Sequence, residues 1–160
     1  MTRIVVAGIT ALALAAGIST GARAQSLVDA TDPGRLAELI RSAGFQATLG
    51  RSSSGAPMIQ SAAEGVNFAL FFYGCRENAN CRAVQYFVSF RMSNPPSLEQ
   101  INGFNETKVV GQAYLRTEDR QPRITYYITL DGGVTEQNFL NTFRVWRVLL
   151  RDFIAHIGFR

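Results

Sequence analysis

Val66-Asn67-Phe68-Ala69-Leu70-Phe71-Phe72-Tyr73, the loop Gly74-Cys75-Arg76-Glu77-Asn78-Ala79-Asn80-Cys81, and Arg82-Ala83-Val84-Gln85-Tyr86-Phe87-Val88-Ser89-Phe90 together decide the fold. Two runs rich in β-branched and aromatic residues flank a polar, turn-prone loop, which is the pattern of a strand–turn–strand hairpin. Setting Cys75 opposite Cys81 places Phe72 across from Val84, Leu70 from Tyr86, Phe68 from Val88 and Val66 from Phe90. All of these are apolar or aromatic. Because side chains alternate between faces, that set marks a core face. The other face carries Asn67, Ala69, Phe71, Tyr73, Ala83, Gln85, Phe87 and Ser89, a smaller and wetter set. A slip of one residue would mix the two sets, so the pattern itself supports this register.

The chain has 160 residues, 47% of them apolar, and no internal repeat, which fits a single domain with one core. Its start reads differently. Met1-Thr2-Arg3 is a short basic region, Ile4 to Gly17 is an apolar run, and Ala22-Arg23-Ala24 is an A-x-A cleavage site. That is a secretory signal peptide over residues 1–24, with the domain spanning 25–160 and a periplasmic or secreted location expected. The apolar run is short for a membrane span and no second one follows, so no stable membrane insertion is expected after cleavage. Residues 25–160 keep 14 basic and 12 acidic side chains, a net charge of +2, so the basic character of the whole chain is no nucleic-acid signature.

Export bears on the cysteines. An oxidising compartment favours a Cys75–Cys81 disulfide, and cross-strand geometry brings the two within bridging range. Closing so short a loop stabilises by about 2.4 kcal/mol in the chain-entropy estimate, a pin rather than a foundation. The competing readings are free thiols or a metal site, although zinc wants four ligands and the chain offers two Cys and a distant His156. No metal or cofactor is expected.

Outward from the hairpin, Asp32 is a suitable N-cap, Pro33 suits the first helical position, and Gly44 stops a helix whose apolar stripe is Leu36, Leu39, Ile40 and Ala43. Phe45 to Leu49 reads as a strand, Gly50 to Gly55 as its turn, and Pro57 to Ser61 as the return strand. Ser97-Leu98-Glu99-Gln100 is a capping box opening a helix that runs to about Thr107, with Leu98, Ile101 and Phe104 inward. Strands follow at Gln112–Arg116 and Arg123–Leu130. Thr135 caps the longest helix, with Val134 and Phe139 placed to form a hydrophobic staple. Its residues Phe139, Phe143, Trp146, Leu150, Phe153 and Ile157 recur at intervals of four and three, the stripe a sheet-covering helix buries. Arg144, Arg147 and Arg151 line the other side, a solvated face or a site for an acidic partner.

The catalytic inventory is thin. His156 is the sole histidine, placed in a final helical turn where an imidazole interacts with the helix C-terminus. No nucleophile and base are set together, no phosphate-binding glycine loop appears, and the acidic residues are scattered. Asn105-Glu106-Thr107 matches a glycosylation sequon inside an expected helix and is read as a chance match. The expectation is a protein that is not an enzyme.

The sheet face away from the core is the candidate interaction surface. It would display Phe71, Tyr73, Phe87, Tyr114 and Tyr127 among Gln85, Gln112, Arg116, Arg123 and Thr125. Aromatic and Arg side chains on an open face are what contact surfaces are made of. The bland reading is that a dimer partner or the N-terminal segment covers it permanently. A stacking platform for single-stranded nucleic acid is a third reading, disfavoured by export and near-neutral charge.

Gly55-Ala56-Pro57-Met58-Ile59, Phe72-Tyr73-Gly74-Cys75 with Cys81, Ile101-Asn102-Gly103-Phe104-Asn105 and Leu130-Asp131-Gly132-Gly133-Val134-Thr135, in that order and spacing, make the chain resemble the YbjN-domain family over about Leu27 to Ile157. The resemblance implies a bacterial regulatory protein with a type III secretion chaperone-like fold, an antiparallel sheet with helices on one side, often dimeric. It brings no catalytic residues, and a signal peptide fits poorly with a cytoplasmic secretion chaperone, so that function does not follow from the fold. The expected architecture is α+β, a single antiparallel sheet of about six strands with helices packed on one face. The expected function is an exported protein-interaction module, chaperone-like or regulatory, whose partner is another protein or a second copy of the chain. The alternatives are a small-ligand sensor with a pocket between sheet and helices, and an enzyme of unknown class.

Overall fold

The computed structural model describes residues 26–160, and the signal peptide expected at residues 1–24 lies outside them. In chain order the elements are β1 (Leu27–Val28), α1 (Pro33–Ser42), β2 (Ala47–Arg51), β3 (Pro57–Ala63), β4 (Val66–Tyr73) and β5 (Ala83–Ser89). They continue with α2 (Leu98–Glu106), β6 (Gln112–Leu115), β7 (Pro122–Thr129), β8 (Val134–Thr135) and α3 (Glu136–Ile157). Six strands form one antiparallel sheet in the order β2-β3-β4-β5-β7-β6, and β1 and β8 form a separate two-stranded pair. The fold is α+β, as the alternating and helical periodicities require.

Local chemistry explains most boundaries. The Asp32 side chain accepts the Arg35 N–H ahead of Pro33, and Gly44 carries the positive φ of 88° that ends α1. Ser97 and Gln100 complete the capping box of α2. Thr135 accepts the Asn138 N–H at the start of α3, and Gly158 closes that helix in the left-handed conformation. Glu64 and Gly65, at φ 52° and 81°, make the two-residue turn joining β3 to β4.

The core lies between one sheet face and the three helices. Trp146, Phe139, Phe143, Phe153, Leu150 and Ile157 on α3 are all buried against Phe68, Leu70, Val84, Tyr86 and Ile124 of the sheet. Each large side chain so buried contributes about 1.5–3 kcal/mol. Three local expectations need correction. Leu98 is 57% exposed because it stands at the first position of α2, before the helix reaches the sheet. Ala43 is exposed as the C-cap of α1, and Ala37 takes its place among the buried residues. Strand β2 begins at Ala47 instead of Phe45, whose ring leaves the sheet edge to pack edge-on against Phe143.

The hairpin register holds in part. Leu70 pairs with Tyr86 and Phe72 with Val84, as the cysteine pairing requires, and Cys75 and Cys81 are joined. The β4–β5 ladder stops at Ala69↔Phe87, so Phe68–Val88 and Val66–Phe90 are not paired. Beyond that point β4 stays paired with β3 as far as Val66, and β5 stays paired with β7 as far as Ser89. The sheet therefore forks. Phe68 packs on Phe143 and Trp146, whereas Phe90 packs on Phe153 and Phe159. Tyr86 of β5, four residues before Phe90, also stacks on Phe143 and Trp146, so the two strands share that anchor and part only beyond Ala69↔Phe87.

Candidate functional site

The side chains facing away from the helices are set by the register. Met58, Phe71, Gln85 and Tyr127 form one row across β3, β4, β5 and β7. Gln60, Ala69, Phe87, Thr125 and Gln112 form the next, and Ser89, Arg123 and Tyr114 follow. Tyr73 and Tyr127 are exposed, with ring centroids 6.3 Å apart. Phe71 and Phe87 are half-buried and meet edge-on at 5.7 Å. Arg123 lays its guanidinium over Phe87, 5.6 Å from the ring centre. Its Nε is buried without a hydrogen-bond partner among the described residues.

The structure thus brings Phe71, Tyr73, Gln85, Phe87, Arg123 and Tyr127 onto one contiguous face, with Tyr114 at its β6 edge. Arg116 differs. It lies one residue past β6 in the turn to β7, where it bonds Glu118 and approaches Asp119. It is engaged locally rather than displayed with the aromatics.

A concavity of about 580 Å³ opens at the fork between β4 and β5. Met58, Phe71 and Phe87 give it apolar walls, Gln60, Asn67 and Ser89 supply neutral polar groups, and among the described residues no charged side chain lines it. It opens on the sheet face turned away from the helices, on the far side from where a sensor pocket was expected. The composition of the hairpin hides it, because it arises from strands parting. Reading β3 as the neighbour of β4 is the one signal that would have added Met58 and Gln60 to the surface.

Other side chains singled out by sequence have structural duties. Arg147 forks onto Glu64 at 3.0 and 2.8 Å and stacks over Phe45 at 4.5 Å, so the arginine stripe of α3 is not uniformly solvated. His156 meets the Gln100 carbonyl at 2.8 Å instead of its own helix end. Asn105 donates Nδ2–H to the Ala113 carbonyl and accepts the Ala113 N–H, both at 2.9 Å, clamping α2 to β6. Beside this, a groove of about 320 Å³ runs between Val109, Val110 and the outer face of α3 at Val145 and Val148. Val145 and Val148 fall out of phase with the core residues of α3.

Asp152 and Glu136 have carboxyls held below the usual range, Asp152 chiefly by Lys108 at 2.8 Å and Glu136 chiefly by Arg35. Burial pushes the Tyr86 phenol well up, with Tyr126 adding to it. Among the described residues no group of three His, Cys, Asp or Glu is placed to hold a metal ion, and no helix is long and apolar enough to cross a membrane.

No curated protein and no solved structure matches the chain significantly. The family model YbjN, described as "putative bacterial sensory transduction regulator", matches residues 32–159, from the cap of α1 to the end of α3. The forked antiparallel sheet and its three covering helices are therefore those of a chain that belongs to the YbjN family.

Proposed function

We propose that this protein is an exported, non-catalytic binding module that engages a protein partner through the open face of its sheet, in a chaperone-like or regulatory role. Membership of a family with a regulatory label supports a regulatory or interaction role. The observation that carries the reading is the Tyr73–Tyr127 pair: two exposed tyrosines in contact, continuous with Phe71, Phe87 and Arg123, on the face turned away from the three described helices. Tyr and Arg gathered around a partly desolvated centre are the residues on which contact energy concentrates.

Export is supported by the basic-apolar-AxA start of the chain and by the closed Cys75–Cys81 bridge, which persists best in an oxidising compartment. The near-neutral charge of residues 25–160 argues against nucleic acid as the partner. His156 is bonded to the Gln100 main-chain carbonyl and lies beside the Phe104 ring, a structural placement that supports a role without catalysis.

Site-specific photo-crosslinking in the native periplasm tests this. Crosslinkers at positions 73 and 127 should give protein adducts, whereas one at Arg151 on the outer face of α3 should not. An adduct of twice the chain's mass identifies the partner as a second copy. Absence of adducts at the sheet face, with the protein recovered folded, overturns the reading.

A further inference from the structure

We propose that the fork between β4 and β5 binds an organic carboxylate, with Arg123 pairing to the acid and Met58, Phe71 and Phe87 holding an aromatic or branched aliphatic body. This site needs no protein partner and so goes beyond the contact role. Its volume, about 580 Å³, falls within the range of small-ligand sites. Its lining suits one kind of guest. Met58, Phe71 and Phe87 make apolar walls, Gln60, Asn67 and Ser89 offer neutral hydrogen-bonding groups, and no acidic residue among those described lines it to repel an anion.

The charge comes from Arg123. It is not itself a lining residue, but it pairs in register with Ser89 and its guanidinium lies over Phe87, both of which line the cavity. Arg35, Arg116, Arg147 and Arg151 each have a carboxylate partner. Arg123 has none among the described residues, which it shares with arginines such as Arg82 and Arg144, but it alone of the described arginines has an Nε buried with no acceptor. A planar guanidinium held against an aromatic ring is pre-organised for a bidentate bond to a carboxylate. One adjacent cation, with no basic group in the lining among the described residues, matches a monoanion better than a phosphate.

The same carboxylate could belong to a free acid or to the last residue of an extended peptide, whose main chain would meet the unpaired strand edges of the fork.

Calorimetric titration of the oxidised, processed protein with N-acetyl-phenylalanine, its C-terminal amide, and Gly-Gly-Gly-Phe with a free or amidated end tests the assignment. A free-acid probe should bind, its amide should bind about tenfold more weakly or less, and Arg123→Gln should remove that preference. Ala69→Trp, which fills the cavity between Gln60 and Phe87, should abolish binding without depending on Arg123. Binding of both probes identifies a small acid as sufficient; binding of the peptide alone identifies a chain end. Equal affinity for acid and amide, an unaffected Arg123→Gln variant, or no binding at millimolar concentration overturns the proposal. None of these results bears on crosslinking at Tyr73 and Tyr127, so the two readings fail independently.

Discussion

Tyr86 and Trp146 stack with centroids 5.3 Å apart and planes 15° from parallel, at the centre of the sheet–helix interface. Both are fully buried, and neither Tyr86 Oη nor Trp146 Nε1 has a hydrogen-bond partner among the described residues. The pair therefore joins strong packing to two unmatched polar atoms. A buried donor left unpaired costs about 1–3 kcal/mol. Removing the hydroxyl should relieve that cost while keeping the stack. Tyr86→Phe is expected to raise the unfolding free energy by about 1 kcal/mol, read as a higher urea midpoint at unchanged slope. Trp146→Ala should lower it by about 3–5 kcal/mol. A destabilised Tyr86→Phe would show that the hydroxyl has an acceptor after all.

Asn105 holds both main-chain groups of Ala113, which is itself buried. Asn105→Ala leaves a buried N–H and C=O unmatched and should cost about 1–3 kcal/mol. Asn105→Asp keeps the acceptor but loses the donor to the Ala113 carbonyl, and should fall between wild type and the alanine variant. Amide exchange at Ala113 is the local readout. Accelerated exchange there, ahead of the central strands, is expected in both variants.

The disulfide closes a loop in which Glu77, Asn78 and Asn80 all adopt positive φ, at 49°, 59° and 47°. Left-handed backbone costs a non-glycine residue about 1–2 kcal/mol, so the loop depends on its closure. Replacing both Cys75 and Cys81 by Ser should lower stability by about 2 kcal/mol and increase protease cutting between Gly74 and Arg82. Mass spectrometry of the chain recovered from a periplasmic extract, without reductant, should find the Cys75–Cys81 linked peptide. Free thiols in that fraction would count against an exported, oxidised protein.

The lowered carboxyls of Asp152 and Glu136 predict a direction for pH dependence. Their folded pKa lies below the unfolded value, so the unfolded state takes up protons first as the pH falls. Their contribution is complete above the unfolded carboxylate range, near pH ~4, and is lost as pH drops through the lower folded values. The melting temperature should therefore decline on acidification below about pH 4. Asp152→Asn should make that decline shallower, with little change of slope at neutral pH. An unchanged acid limb would mean that the Lys108 pair is fully screened in solution.

Much of this fold was legible residue by residue. Pro33 after Asp32, the Ser97–Gln100 box and Thr135 before an acidic first turn are local signals, and each marks a helix start in the structure. The α3 stripe was legible for the same reason: which residues share a helix face follows from the 3.6-residue turn alone. Sequence could not show that Arg147 would turn to Glu64 and Phe45, since those partners lie far away in the chain. Nor could it separate Arg116 from Arg123. Both extend the polar-aromatic alternation, but one falls beside Glu118 in a turn and the other over Phe87 in the sheet.

The candidate surface divides in the same way. Alternation along β4 and β5 by itself determined that Phe71, Tyr73, Gln85 and Phe87 share a face opposite the core, because a strand's period of two is a property of its own backbone. The cysteine spacing likewise determined the register near the loop, where Phe72↔Val84 and Leu70↔Tyr86 pair. Only the tertiary structure decided that the register ends at Ala69↔Phe87 and that a cavity opens beyond it. The reason is non-local. Before Ala69 β4 keeps its ladder with β3, and beyond Phe87 β5 keeps its ladder with β7, pairings with distant strands that alternation within one hairpin does not encode.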